Sequence, residues 1–302
     1  MSGTAWALAC ALFSWWLGTG LVFLIERGVR ERPRAAIGAI VAIGGLSLFG
    51  VVQSSRMAQA MGAYVGFASS IGLWGALELS FLTGLVTGPR RHACAPGCRG
   101  VRHFGHGVLA LLYHELALAA CGLLVAALCW NSPNPYAACT YGVLWVMRES
   151  AKLNLYLGVA NPAVELLPRR LAHLACYFGR RGLNAFLPVS IVAATIVDVV
   201  LVRRALADSA SPLYQTGGIL LAALLALAIL EHLLLILPIR ADALWTWATR
   251  RDAVPRATGA LPPDGGAAQC ASHGGLPAAT GRPRREAEAV VAAAGAGVNL
   301  LA

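Results

Sequence analysis

Six apolar runs of membrane-spanning length constrain this chain more than any other feature of its sequence. They cover approximately residues 5–25, 35–52, 63–86, 108–130, 184–202 and 217–237. About 20 apolar residues in a helix cross the hydrocarbon core of a bilayer. Of the 302 residues, 58% are hydrophobic and 13% are charged. With one more polar segment, residues 141–162, the pattern predicts an all-α integral membrane protein with seven transmembrane helices.

The segment 141–162, predicted as helix five, begins as a membrane span but contains Arg148, Glu149, Lys152 and Asn154. A charged side chain near the bilayer centre costs from about 2.5 kcal/mol upward, so such groups face the bundle interior and find partners there. Glu149 can reach Lys152 at i+3, whereas Arg148 and Lys152 place like charges at i+4. The one acid of helix five cannot neutralise its two cations, so we expect acidic side chains from other helices to pair with them.

Acidic and imidazole side chains occur at similar depth on three other predicted helices. From the predicted cytoplasmic boundaries, a rise of about 1.5 Å per residue places them roughly 9–15 Å into the membrane. The predicted buried polar layer consists of Glu78, His114, Glu115, Arg148, Glu149, Lys152, Asn154, Glu231 and His232. Four acids against two cations leave an excess of negative charge, which protonated histidines, neutral carboxyls or a divalent metal could remove.

Three interpretations of this layer stay open. It could be a structural network that fixes helix register, a site for a divalent metal, or a source of a histidine ligand for a pigment magnesium or haem. No metal ligands are assigned, and the candidates are His114, Glu115, Glu231 and His232. The Glu-x-x-His spacing of four-helix di-iron proteins is absent, which argues against an enzyme of that kind.

The loop predicted at residues 88–106 contains several soft or borderline metal donors. They are His92, Cys94, Cys98, His103 and His106. The spacing suggests zinc but fits no regular four-ligand pattern. The sequence therefore favours a solvated basic loop over a zinc site here.

Residues 163–181 differ in kind from the spans. Leu171, Leu174, Ala175 and Phe178 recur at helical spacing among arginines, which predicts an interfacial amphipathic helix between helices five and six. From residue 251 the chain becomes rich in Pro, Gly, Ala and Arg without periodicity. We therefore expect a membrane domain over 1–250 and a disordered cytoplasmic tail over 251–302.

Arginine distribution predicts the orientation. The loops after spans one, three and five hold 4 arginines each and the tail 7, whereas the opposite side holds only Arg56, Arg203 and Arg204. Cytoplasmic loops carry the excess of Lys and Arg. The N-terminus is expected in the periplasm and the C-terminus in the cytoplasm. The net charge of +10 lies in loops and tail, so it does not predict nucleic-acid binding.

Five ordered segments resemble the PuhE-type photosynthetic complex assembly proteins of purple bacteria. They are LELSFLTGLVTGPRR (77–91), YHELAL (113–118), SAKLNLYLGVANP (150–162), LNAFLPVSIVAAT (183–195) and LEHLLLILP (230–238). The resemblance extends over roughly residues 6–247 and carries no catalytic set. It implies a multi-pass protein of the bacterial inner (intracytoplasmic) membrane that helps to build the reaction-centre and core light-harvesting complex, acting on bacteriochlorophyll supply or delivery.

The partners implied by this resemblance are membrane lipids together with reaction-centre or light-harvesting subunits, or pigment-synthesis enzymes. Bacteriochlorophyll and a divalent metal are the candidate cofactors. The alternative is a membrane metalloenzyme acting on a tetrapyrrole or isoprenoid through the buried Glu/His layer. The sequence contains no nucleotide-binding loop, nucleophile constellation or supported redox cysteine pair, which favours a non-enzymatic role.

Overall fold

The computed structural model describes residues 3–28, 33–95, 97–162, 168–179 and 182–237. Within these ranges the chain is helical and contains no strand. The helices are α1 Gly3–Gly28, α2 Pro33–Ser55, α3 Ala60–Leu82, α4 Gly100–Leu128, α5 Tyr136–Leu157, a 3₁₀ helix Arg169–Tyr177, α6 Phe186–Ala205 and α7 Pro212–Leu234. The predicted tail, 251–302, lies outside the described residues.

Six of these helices are long and apolar enough to cross a membrane: α1, α2, α3, α4, α6 and α7. Such a chain can satisfy its backbone groups in lipid because each helix bonds its amides internally. Helix α5 has 22 residues but carries Arg148, Glu149 and Lys152, which set it apart from the apolar six. The seven-span topology and its orientation therefore stay predictions.

Helices α3 and α7 form the centre of the bundle. Of their apolar windows, 72% and 67% are buried, against 11–22% for the other four apolar helices. The central cluster includes Phe67 and Trp74 of α3 and Leu220 of α7. The outer helices present Leu, Val and Ile to their surroundings, as expected for surfaces in contact with lipid.

Small residues let α2 approach α3 closely. A Cβ added at Gly50 would collide with the Ser69 side chain, and one added at Gly72 would collide with Ser47. Small side chains at helix interfaces are a general feature of membrane bundles because they allow close backbone contact. The glycine-rich composition of the second span thus serves this contact.

The amphipathic segment between α5 and α6 differs from the prediction. It is a 3₁₀ helix of 9 residues, and its buried residues are Leu171, Leu174 and Tyr177. A 3₁₀ helix has three residues per turn, so positions i, i+3 and i+6 share a face. That face packs on the bundle against Val22, Leu79, Phe81, Leu82 and Ala110.

Burial raises the pKa of Tyr177 to about 12, and its hydroxyl accepts a hydrogen bond from Arg90 Nε at 2.9 Å.

The connection between α3 and α4 also differs. Helix α4 begins at Gly100, so His103 and His106 belong to the helix and not to the loop. The extension is packed by aromatic rings, with His103 5.3 Å from Tyr177 between ring centroids and Phe104 5.2 Å from Tyr156. These contacts explain why the helix continues beyond the apolar run.

Candidate functional site

The polar side chains predicted as a layer lie on α3, α4, α5 and α7, and the structure brings them into three groups. The first centres on Glu78, the second on Lys152 and the third on the neighbouring residues Glu231 and His232. The layer lies within the last three turns of α3, α5 and α7, toward one end of the bundle.

Glu78 of α3 occupies the most enclosed position and is 0% exposed. Its Oε2 accepts a hydrogen bond from Arg148 Nη2 of α5 at 3.0 Å, and the Arg148 side chain is 11% exposed. His114 Nε2 of α4 lies 3.6 Å from Glu78 Oε1, beyond ordinary hydrogen-bond length. The His114 ring stacks on Phe81 at 4.5 Å between centroids. Three helices therefore meet at one buried carboxylate.

Lys152 of α5 bridges two acids. Its Nζ lies 2.6 Å from Glu115 Oε1 of α4 and 2.8 Å from Glu149 Oε1 of its own helix. The acid from another helix that the sequence required for this lysine is thus Glu115. The side chains of Lys152, Glu115 and Glu149 are 18%, 25% and 44% exposed, so this group is more open than the Glu78 group.

Glu231 and His232 of α7 point to different neighbours. Glu231 Oε1 accepts a hydrogen bond from Trp15 Nε1 of α1 at 2.9 Å, and no pattern in the sequence predicted this partner. His232 Nδ1 lies 2.9 Å from the Ala228 carbonyl oxygen and Nε2 lies 3.0 Å from Ser150 Oγ. Both nitrogens of this buried imidazole are therefore engaged. Asn154 donates to the Ser150 carbonyl oxygen at 2.9 Å and is fully buried.

Several buried polar atoms of the layer lack a hydrogen-bond partner among the described residues. They are Glu78 Oε1, both ring nitrogens of His114, Arg148 Nε, Asn154 Oδ1 and Glu231 Oε2. A buried polar group without a partner is costly, so each such atom needs an explanation in structure or function. These atoms are the part of the layer that could receive a ligand.

A narrow apolar cavity adjoins Glu231. Its lining includes Trp15, Met147, Leu227 and Ala228. It has room for about one water molecule and is far too small for a tetrapyrrole. The Glu231 side of the layer therefore has no room for a substrate of that size.

The metal candidates of the layer do not assemble into a common site. Among the described residues, one group of three His, Cys, Asp or Glu side chains has its ligand atoms mutually within 4.8 Å, and it consists of Cys94, Cys98 and His106. These belong to the region that the sequence favoured as a solvated basic loop. The signal that was missed is the early start of α4, which places His106 on a helix facing the loop.

Two comparisons with known proteins match this chain. Residues 1–256 match a protein family described as "Protein of unknown function (DUF3623)". A protein of Rhodobacter capsulatus, named "Uncharacterized 30.4 kDa protein in puhA 5'region", is 38% identical over 248 residues, which cover 80% of this chain and 90% of that protein. No solved structure matches the chain.

Proposed function

This chain belongs to the DUF3623 family, and we propose that it is an integral-membrane assembly factor for the bacterial photosynthetic reaction-centre and core light-harvesting complex. One observation carries the proposal: the name of the Rhodobacter capsulatus relative locates its gene in the puhA 5' region, which supports a role in photosynthesis. The five-segment resemblance to photosynthetic complex assembly proteins supports the same role. The relative aligns with 80% of this chain and with 90% of its own length, which favours a shared role.

The geometry of the polar layer supports a non-catalytic protein. Its two cations are both used in ion pairs, Arg148 with Glu78 and Lys152 with Glu115 and Glu149. Buried ion pairs contribute little net stability, but they can specify which helix faces meet. A network that fixes helix register suits a scaffold that presents fixed surfaces to other membrane subunits.

The proposed setting is the inner, intracytoplasmic membrane, crossed seven times with the N-terminus in the periplasm. The end that would face the cytoplasm carries Arg90, Arg91, Arg102 and Arg170 together with the packed 3₁₀ helix. Reaction-centre or light-harvesting subunits, or pigment-synthesis enzymes, are the proposed partners. A basic, well-packed end offers them a charged docking face beside the membrane.

The test is a deletion strain grown under photosynthetic conditions. The absorbance of isolated membranes measures the assembled core complex, and the activity of a respiratory membrane complex serves as the control. We expect the core complex to fall while the respiratory complex is unchanged, with recovery when the gene is returned. Core-complex levels equal to those of the parent strain would refute the proposal.

A membrane metalloenzyme acting on a tetrapyrrole or isoprenoid is the second candidate. The unpartnered atoms of Glu78, His114 and Glu231 favour it, because catalytic groups often lack partners until substrate binds. An enzyme predicts that a pigment precursor accumulates in the deletion strain and that His114→Asn fails to complement although it folds. An assembly factor predicts no precursor and normal complementation by a folded His114→Asn variant.

A further inference from the structure

Two cysteines of the α3–α4 connection and one histidine of α4 converge on one point. His106 Nδ1 lies 3.3 Å from Cys94 Sγ and 3.4 Å from Cys98 Sγ. All three ligand atoms are mutually within 4.8 Å, and all three residues are partly buried. The cluster lies outside the polar layer, at the end of the bundle where α3 and α5 finish and α4 begins.

The spacing of these atoms matches the edges of a tetrahedral zinc site. Zn–S bonds of about 2.3 Å and Zn–N bonds of about 2.0 Å place sulfur and nitrogen ligands roughly 3.6 Å apart and two sulfurs roughly 3.8 Å apart. The two observed S···N distances are within about 0.3 Å of that edge, and the two sulfurs lie within 4.8 Å of each other. The three atoms can therefore share one ion with only small adjustments.

The backbone of the loop before Cys94 is held against α4, which positions the Cys94 thiol. The Thr87 carbonyl accepts from the His114 amide at 2.9 Å, deep along α4. Gly88 sits so close to the Leu109 and Ala110 backbone that any side chain there would collide with it. Arg90 donates to the Ala93 carbonyl at 3.3 Å, immediately before Cys94. Cys94 thus follows a packed segment of the chain, and the Cys98 amide donates to the Ala95 carbonyl oxygen at 3.2 Å.

A third thiol lies beside the cluster. Cys176, on the 3₁₀ helix, accepts a hydrogen bond at Sγ from the Cys94 amide at 3.4 Å, and it is exposed. A change of side-chain rotamer can bring an exposed thiol to a neighbouring ion at small cost. Cys176 is therefore the natural fourth ligand, and it would make the set three sulfurs and one nitrogen.

We propose that Cys94, Cys98 and His106, completed by Cys176, bind one structural Zn²⁺. Thiolate and imidazole ligands in tetrahedral geometry select zinc, and a closed four-ligand set is typical of structural zinc sites. The positive charges of Arg90 and Arg102 act on Cys98 and would offset the excess negative charge of three thiolates around one divalent ion. The ion ties the loop, α4 and the 3₁₀ helix together, and so rigidifies the basic end of the bundle.

The test uses the full chain, purified in mild detergent without a histidine tag from cells supplied with zinc. Elemental analysis of the wild type is expected to give one zinc per chain. Cys94→Ser, Cys98→Ser and His106→Asn are each expected to reduce zinc to background. Cys139→Ser changes an exposed cysteine of α5 that is not part of the cluster, and it is the matched control that should retain the full amount.

Three measurements on the wild type keep the test valid where a variant fails to fold. Exchange of zinc for Co²⁺ should produce the visible ligand-field and thiolate charge-transfer bands of tetrahedral cobalt, and X-ray absorption should count three sulfurs and one nitrogen. A membrane-permeable chelator should lower the thermal stability, and zinc should restore it. His114→Asn, in the polar layer, should retain zinc, which separates this site from a catalytic metal in the layer.

Substoichiometric zinc in the wild type, or equal zinc in Cys98→Ser and Cys139→Ser, would overturn the proposal. A disulfide between Cys94 and Cys98, detected by mass spectrometry of unreduced protein, would do the same. Unchanged sulfur count in Cys176→Ser would overturn the assignment of the fourth ligand. None of these results depends on whether the deletion strain assembles its photosynthetic complex.

Discussion

Replacing Arg148 by Met should destabilise the protein strongly, because it leaves Glu78 buried without its cation. Arg148 Nη2 lies 3.0 Å from Glu78 Oε2, and the two side chains are 11% and 0% exposed. The remaining polar neighbour is His114, 3.6 Å from the other carboxylate oxygen. Removing one partner of a buried ion pair costs about 3–5 kcal/mol. For a domain of this size, that corresponds to a loss of roughly 6–20 °C in apparent melting temperature.

The assay is the fraction of protein that stays monodisperse on size-exclusion chromatography after heating in detergent. Glu78→Gln combined with Arg148→Met removes both charges together and should recover part of the loss. A coupling free energy of roughly 1–3 kcal/mol is expected from the double-mutant cycle. Arg203→Met, at an exposed position near the end of α6, is the matched control and should change stability by less than about 0.5 kcal/mol. A wild-type melting temperature for Arg148→Met, or strictly additive losses in the cycle, would refute the pairing argument.

Three further predictions concern other parts of the fold. Lys152→Met should lower the stability of the protein by about 1–3 kcal/mol in the same assay, less than Arg148→Met, because the ion pairs of Lys152 are more exposed. A loss of stability equal to that of Arg148→Met would contradict this. Gly88→Ala should lower thermal stability by about 1–3 kcal/mol because its Cβ meets the α4 backbone, whereas Gly105→Ala, with open space, should be neutral or stabilising. In cells whose exposed cysteines Cys139 and Cys176 are both replaced by serine, a membrane-impermeant thiol reagent applied from the periplasm should modify Asp208→Cys and leave Arg91→Cys unmodified. The reverse result would show that the topology is inverted.

The sequence predicted the helical spans because the bilayer imposes a length and a composition on each of them. Runs of about 20 apolar residues are visible without knowledge of any contact. The chemistry of helix five also required an acid from another helix, since Arg148 and Lys152 outnumber Glu149. Both conclusions follow from local composition and from the cost of charge in hydrocarbon.

The pairing itself was decided by tertiary structure. Glu78 faces Arg148 and Glu115 faces Lys152 because α3 and α4 are rotated and shifted in that way against α5. Helix α1 is apolar around its whole circumference, so no periodicity in its sequence shows that Trp15 turns inward to Glu231. Sequence spacing fixes neighbours within one helix, but contacts between helices depend on their relative rotation and depth.

The cluster of Cys94, Cys98 and His106 also depends on tertiary structure as well as on sequence. The donor residues of 92–106 were visible in the sequence, yet their irregular spacing matched no regular metal pattern. Three-dimensional structure brings Cys94 and Cys98 to His106 because α4 starts early, and it adds Cys176 from 82 residues further along the chain. The sequence determined which chemical groups are present, whereas the packing of the loop and the 3₁₀ helix on α4 decided which of them share one point in space.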